Sequence, residues 1–246
     1  MLQPSELAEE GAPAEVLLTG ADAHHIHRVL RLRPGEEIEV SCQGRTYVVR
    51  LTRTSPAAVQ GRVVAQVKER REPRARVILA QALLKGEKME WVIQKGTELG
   101  VKGFIALEAR RAVVQLAPEK AAQRRERWQR IAREAAQQCG RPLVPFVAGP
   151  LPLQQVIESA DYAPCLKLLA WEGEEEVPLH RALAGGGPEA GVVVFIGPEG
   201  GFTVEEVNAA RRAGAQPVSL GPRILRAETA ALAAVTAVLY SCGELG

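Results

Sequence analysis

The segment at 196–203, IGPEGGFT, has the composition of a loop that holds a small ligand. Its three glycines, Gly197, Gly200 and Gly201, carry no side chain, so a ligand can contact backbone N–H and C=O groups directly. The apolar run VVVFI precedes the loop, and a helix is predicted to begin at Thr203. The helix N-terminus would add a partial positive charge beside the loop.

The loop does not match the common nucleotide-binding motifs. Its spacing is not G-x-G-x-x-G, and the chain has no G-x-x-x-x-G-K-[ST] phosphate loop. The carboxylate of Glu199 would repel a phosphate, so the loop suits a ligand that is not strongly anionic. S-adenosylmethionine (SAM), which carries a sulfonium cation, meets that requirement. A glycine-rich turn without a ligand is the alternative on this motif alone.

A second motif, SLGPRILRAETA, occupies residues 219–230. Gly221 and Pro222 break the chain directly after a predicted strand. Ile224 and Leu225, which come shortly after this break, could form an apolar wall for a flat base. Arg226 and Glu228 then place two charged groups at the start of the last predicted helix. Alternatively, these two residues form a surface ion pair worth under about 1 kcal/mol.

The elements around these motifs divide the chain into two regions. Residues 1–72 are predicted to be mostly β-structure, with a helix from Asp22, as its N-cap, to Leu30. Partly alternating segments predict strands at 36–41, 45–51 and 59–67. Short strands in so little sequence favour a compact barrel, and the charged stretch at 68–76 is predicted to be a linker.

From residue 76 onward, strands and helices alternate. Apolar runs predict strands at 76–84, 104–108, 143–147, 165–171, 192–196 and 217–220. Start and stop signals predict helices at 87–99, 118–138, 203–214 and 227–240. This alternation indicates an α/β fold with a parallel sheet and helices on both faces, in which ligands bind outside the carboxyl ends of the strands.

Finer patterns within these helices make three predictions. Thr203 and Glu206 have the spacing of a capping box. Trp91 and Trp128 have apolar neighbours at helical spacing and are expected in the core. The last helix is apolar on nearly every side, which predicts burial in the core or at a subunit interface.

The charge of the chain is uneven along its length. Residues 73–141 carry a net charge of +8, whereas 1–72 are neutral and 142–246 carry −6. This concentration favours a surface that faces a polyanion such as nucleic acid. The arginines of the helix predicted at 118–138 would equally suit a solvated helix face.

Several other features exclude classes of site or location. The cysteines are scattered without a C-x-x-C pair, which favours a reduced, cytoplasmic protein over a disulfide framework or a zinc site. His25 and His27 would lie about 200° apart on an α-helix, so no metal site is expected there. No apolar run reaches the roughly 18 residues of a membrane span, and the first residues lack a signal-peptide pattern.

The two glycine motifs together resemble those of the SPOUT methyltransferases, and within them the ribosomal RNA small subunit methyltransferase E family. The similarity also covers segments at 24–38, 83–101, 110–116 and 127–147, in the same order along the chain. Gly96 departs from the family pattern, which has Ala there, and Arg110 and Ala112 replace the acidic residue and the Ser that usually flank Arg111.

The resemblance implies an enzyme that uses SAM to methylate N3 of a uracil in 16S ribosomal RNA. It implies a small PUA-like, RNA-binding β-barrel domain at 1–72 and a SPOUT α/β domain, tied in a trefoil knot, at 73–246. It also implies a homodimer whose substrate partner is 16S rRNA or the small ribosomal subunit. The SAM pocket would be formed by Leu168, Leu169, Ile196, Gly197, Pro198, Glu199, Gly200, Gly201, Leu220, Gly221, Ile224, Leu225 and Arg226.

The chemistry of that reaction suggests roles for charged residues. Arg226 or Arg141 would stabilise the negative charge that develops on the base, and Glu199 or Glu228 would accept the N3 proton directly or through water. Residues expected to contact RNA are Arg28, Arg31, Lys85, Lys88, Lys95 and Arg111.

Two other classes of function compete with this one. A non-catalytic ribosome-assembly factor could keep the same fold and bind RNA, although the intact glycine loops argue against it. A nucleotide-dependent oxidoreductase could also use a parallel sheet, but the missing G-x-G-x-x-G motif argues against that class.

Overall fold

The computed structural model describes residues 15–42, 44–67, 71–185 and 189–245. The chain divides into two compact units. The first contains the residues up to Glu72 together with Gly140–Leu143, and the second contains Pro73–Cys139 and the residues from Val144 onward. In the part of the chain that is described, no helix is both long and apolar enough to cross a membrane.

The first unit contains one antiparallel sheet. Its strands are β1 (Glu15–Thr19), β2 (Glu37–Cys42), β3 (Arg45–Thr54) and β4 (Ala58–Gln66), in the spatial order β1-β4-β3-β2. Among the described residues, β1 and β2 are the two edges of this sheet, so hydrogen bonds between them do not close it into the expected barrel. Inward-facing residues such as Val16, Val49 and Val59 form its apolar core with Ile26.

The helix predicted from Asp22 to Leu30 differs in its details. Its N-cap is Gly20, two residues before the predicted cap, and α1 (Ala21–His24) continues into a π-helical turn at His25–Val29. Gly20 has a φ of 66°, a left-handed conformation that glycine adopts without strain. The prediction of Asp22 as the cap was therefore wrong, because the glycine turn at the end of β1 already starts the helix.

The second unit is built on a six-stranded sheet in which every neighbouring pair is parallel, and this confirms the predicted α/β class. Its strands are β5 (Val77–Ala82), β6 (Gly103–Glu108), β7 (Phe146–Pro152), β8 (Leu166–Ala170), β9 (Val192–Ile196) and β10 (Gln216–Val218). Their spatial order is β10-β8-β9-β5-β6-β7. The predicted strand at 143–147 starts later, because Gly140–Leu143 belong to the first unit.

Helices cover both faces of this sheet. They are α2 (Lys88–Leu99), α3 (Pro118–Gln138), α4 (Leu153–Ile157), α5 (Leu179–Ala182), α6 (Val204–Arg212) and α7 (Ala227–Ser241). One apolar core lies between the sheet and α2, α3, α5 and α7, and a second lies between the sheet and α4 and α6. α7 lies against β5 and β9 and buries six of its residues, as its apolar pattern predicts.

Particular side chains confirm or correct the finer predictions. The capping box of Thr203 and Glu206 is present at the start of α6. Trp128 is buried as expected, but Trp91 is 43% exposed, so its placement in the core was wrong: its helix turns that position outward. Gly96 leaves room for the Phe104 ring, because a Cβ at this position would lie only 2.7 Å from that ring.

Candidate active site

A cleft of about 820 Å³ lies at the carboxyl ends of β8, β9 and β10. Parallel α/β sheets bind ligands at this edge, and the volume lies in the range of small-molecule sites. Ten of the predicted SAM-pocket residues line it: Ile196, Gly197, Pro198, Glu199, Gly201, Leu220, Gly221, Ile224, Leu225 and Arg226. The structure therefore brings the two glycine motifs together.

Three predicted pocket residues do not line the cleft. Leu168 and Leu169 are fully buried within β8, one in each apolar core. The strand instead reaches the cleft with the residues at its end, Ala170 and Trp171. Gly200 is exposed, and its carbonyl accepts a hydrogen bond from Arg111 Nη1 at 3.0 Å.

The first glycine loop is tight enough to need its small residues. A Cβ at Gly197 would lie 3.1 Å from both the Gly201 carbonyl carbon and the Phe202 nitrogen. Gly201 has a φ of 68° and donates its N–H to the Pro198 carbonyl at 2.9 Å. The loop thus folds back on itself, and its two cleft-lining glycines, Gly197 and Gly201, can present only backbone atoms to a ligand.

Glu206 joins this loop to the segment after β6. One of its carboxylate oxygens accepts the Arg110 N–H at 2.8 Å, and the other accepts the Thr203 N–H at 2.8 Å. The side chain is largely buried, and hydrogen bonds to a charged acceptor are the stronger kind. Glu206 therefore fixes the position of the helix start that borders the cleft.

Charged side chains meet at one wall of the cleft. The Lys88 ammonium lies 3.6 Å from Glu199 Oε1 and 3.2 Å from Glu228 Oε2. Burial alone would raise the pKa of Glu199, but the N–H groups of Glu199 and Lys85 and the Lys88 charge outweigh it, so the pKa is lowered. Glu199 is thus a stable carboxylate and a weak proton acceptor.

The alternative interpretation, an ion pair between Arg226 and Glu228, does not apply, because Glu228 is paired with Lys88 instead. Arg226 is the N-cap residue of α7 and lines the cleft. Within the described ranges, its exposed guanidinium has no hydrogen bond or ion pair. It is therefore available to an anionic or carbonyl-bearing ligand.

Arg141 lies in the first unit rather than along the cleft. Its guanidinium is 3% exposed and forms a two-point contact with Glu72, with Nε to Oε1 at 3.1 Å and Nη2 to Oε2 at 3.0 Å. The ion pair with Glu72 gives Arg141 a structural role.

The residues predicted to contact RNA are divided between the two units. In the first unit, Arg28 and Arg31 are exposed. In the second, Lys95 is paired with Glu98 at 2.8 Å, and Lys88 belongs to the cleft wall. Lys85 is exposed and also donates its backbone N–H to Glu199 Oε1 at 3.1 Å.

The segment after β8 adds acidic side chains that were not among the predicted pocket residues, although this loop was expected at the ligand-binding edge of the sheet. Glu172, Glu174 and Glu175 line the cleft. The buried Glu174 carboxylate accepts two backbone N–H groups of its own segment and the Arg211 guanidinium at 2.7 Å, which holds the segment in place. The acidic run GEEE was the available signal. Across the described ranges, no group of three His, Cys, Asp or Glu is arranged to hold a metal ion.

Two family descriptions match the chain. Residues 70–239 match the RNA methyltransferase domain, and residues 18–64 match the RNA methyltransferase PUA domain. Ribosomal RNA small subunit methyltransferase E of Bacillus subtilis is 38% identical over 91% of this chain and 89% of its own length. The protein of the same name from Synechocystis is 38% identical over 98% of this chain and 78% of its own.

Solved structures agree with these matches. The Neisseria gonorrhoeae ribosomal RNA small subunit methyltransferase E, bound to SAM, has a TM-score of 0.81 and 30% identity, and the match covers 97% of each chain. A Legionella pneumophila protein solved with SAM has a TM-score of 0.81 and 31% identity over 98% of this chain and 97% of that one. By sequence and by structure, this chain belongs to the ribosomal RNA small subunit methyltransferase E family.

Proposed function

We propose that this protein transfers the methyl group of SAM to N3 of a specific uridine in 16S ribosomal RNA. The observation that carries the proposal is the cleft, which is lined by both glycine-containing bends, at 196–203 and 219–230. The family relationship supports the same reaction class.

The residues of the cleft fit a cationic cofactor. The close approach of Gly197 to Gly201 and Phe202 leaves a backbone-lined cradle that a Cβ would fill. Glu172, Glu175 and Glu199 add negative charge along its walls. Lys88, Arg223 and Arg226 also line the cleft, but the glutamates outnumber them, which favours a sulfonium compound over a phosphate-bearing nucleotide.

The other roles in the reaction are assigned to residues of this chain. Bound SAM supplies an activated methyl group. Arg226, which has no partner in the described part of the chain, donates hydrogen bonds to the uracil oxygen on which negative charge develops. Arg141 is the weaker candidate, since Glu72 already holds its guanidinium.

The N3 proton of the uracil needs an acceptor. Glu228 is the proposed acceptor, because the lowered pKa of Glu199 makes that carboxylate a weak base. Glu228 is 15% exposed, and its Oε2 makes no hydrogen bond within the described residues although Lys88 lies 3.2 Å away. Glu228 is not among the residues that line the cleft, but Lys88, which does line it, contacts both carboxylates.

The proposal extends to the organisation of the protein. The domain at 1–72 binds RNA, supported by the match to the RNA methyltransferase PUA domain. The domain at 73–246 carries the trefoil knot that the SPOUT resemblance implies, and the protein works as a cytoplasmic homodimer. Arg28 and Arg31 are exposed cations available to phosphates, and Lys85 and Arg111 are their counterparts near the cleft.

A methyl-transfer assay tests the proposal. Purified protein is incubated with SAM carrying a labelled methyl group and either naked 16S rRNA or small ribosomal subunits that lack the modification. Label should enter the RNA, and Arg226→Ala should abolish most of the transfer. RNA binding without transfer on either substrate would instead support a non-catalytic assembly factor.

A further inference from the structure

Gln81 is a fully buried amide on the central strand of the second unit. All six residues of β5 are buried, and the other five are apolar. Gln81 is 0% exposed and lies level with Ile196, the last residue of β9, in the parallel pairing of these strands. Its side chain therefore lies beside the point where the first glycine loop begins.

The amide nitrogen of Gln81 faces the loop. Nε2 donates to the carbonyl of Gly197 at 3.2 Å, lies 3.5 Å from the carbonyl of Ile196, and donates to the Ala82 carbonyl at 3.0 Å. Three carbonyl oxygens require a donor, which settles which end of the amide points toward them. The other end, Oε1, has no hydrogen-bond partner among the described protein atoms.

The presence of this amide is not explained by stability. A buried amide that leaves one end unmatched destabilises a fold relative to an apolar side chain of similar shape. Its neighbours on the same face, Leu79 and Leu83, are apolar members of the core. A different role therefore has to account for a glutamine at this position.

The hydrogen bonds of Gln81 control the direction of the loop's backbone groups. The peptide bond between Ile196 and Gly197 is trans, so its N–H points opposite to its C=O. Because the Ile196 carbonyl oxygen lies 3.5 Å from Gln81 Nε2, the Gly197 N–H on the other side of this peptide bond points away from Gln81. Gly197 lines the cleft, whereas Gln81 is not among the residues that line it.

We propose that Gln81 is a positioning residue for the methyl donor, because its amide holds the Ile196 and Gly197 carbonyls away from the cleft and leaves the Gly197 N–H facing it. This inference rests on the proposed function, since it requires SAM to bind against this loop. Gln81 itself touches neither donor nor substrate and acts through the loop backbone.

The experiment compares Gln81→Met, which keeps length and apolar volume but loses the donor, with Gln81→Glu. SAM affinity is measured by calorimetry, and thermal unfolding is followed for each variant. Gln81→Met should bind SAM on the order of tenfold more weakly without a lower melting temperature. Thr97→Val is the matched control, because it removes a buried hydrogen bond to the Ile93 carbonyl in α2 and should leave SAM affinity unchanged.

Gln81→Glu adds a readout that a purely structural role would not move. A buried carboxylate facing carbonyl oxygens is disfavoured, so its pKa rises and the protonated form becomes a donor at lower pH. SAM affinity of this variant should therefore improve toward the wild-type value as the pH falls from about 8 to about 6. The SAM affinity of Gln81→Met should vary with pH only as that of the wild type does.

The outcomes separate the two proposals. If the wild-type protein fails to bind SAM, the proposed function fails and this inference with it. If the wild type binds SAM and Gln81→Met binds equally well, the proposed function stands and the role of Gln81 is wrong. Loss of affinity that accompanies an equal loss in Thr97→Val, or a Gln81→Glu affinity without added pH dependence, would likewise overturn the positioning role.

Discussion

Replacing Gly197 with alanine perturbs the proposed cradle by one methyl group. The new Cβ would lie 3.1 Å from two backbone atoms of the same loop, whereas ordinary contacts lie at 3.4–4 Å, so the loop must open by a few tenths of an ångström. Opening the loop displaces the backbone groups that it offers to SAM, and one hydrogen bond contributes about 1 kcal/mol. We therefore expect a loss of SAM affinity of about fivefold, which is ~1 kcal/mol.

Calorimetric titration with SAM measures this effect directly. Gly185→Ala is the matched control, because a Cβ there meets nothing within 4 Å and the backbone does not need a positive φ. The control should bind SAM as the wild type does, and both variants should unfold at nearly the wild-type temperature. If Gly197→Ala bound SAM with unchanged affinity, the loop could not be a close-fitting cradle and the reasoning would be refuted.

Three further outcomes are expected. Glu206→Ala should lower the free energy of unfolding by about 3 kcal/mol in urea titrations, because two backbone N–H groups lose a charged acceptor, and Glu205→Ala should have a much smaller effect. Arg226→Ala should reduce kcat about a hundredfold or more while SAM affinity stays within about twofold; an unchanged kcat would remove the guanidinium from the mechanism. The lowered pKa of Glu199 should make the wild type more stable than Glu199→Gln above pH 4.5. In thermal unfolding, this difference in stability should vanish as the pH falls through the lowered pKa of Glu199. A difference that grew in acid would contradict the prediction.

Local patterns were enough to predict the frame of the site. The apolar run before Gly197 and the capping box of Thr203 and Glu206 depend only on neighbouring residues, and both are present. The uniformly apolar last helix likewise predicted its own burial. The parallel order of strands and helices then placed both glycine motifs at one edge of the sheet.

Other parts of the site depend on contacts between distant residues, which a local pattern does not show. Lys88 was expected to face RNA, but its partners are Glu199 and Glu228, over a hundred residues away. Gln81 stood inside what read as an unbroken apolar strand, and only the pairing of β5 with β9 shows what its amide contacts. Trp91 has apolar neighbours at helical spacing, yet its own position on α2 faces outward.

The central claim is methylation of a uridine base at N3 by this chain, and nucleoside mass analysis of 16S rRNA tests it most directly. RNA from cells with and without the gene is digested and mapped, and the Arg226→Ala protein is returned to the deficient cells as a further arm. We expect one N3-methyluridine that disappears with the gene and returns with the wild-type protein alone. An unchanged set of modified uridines in the deficient cells would contradict it.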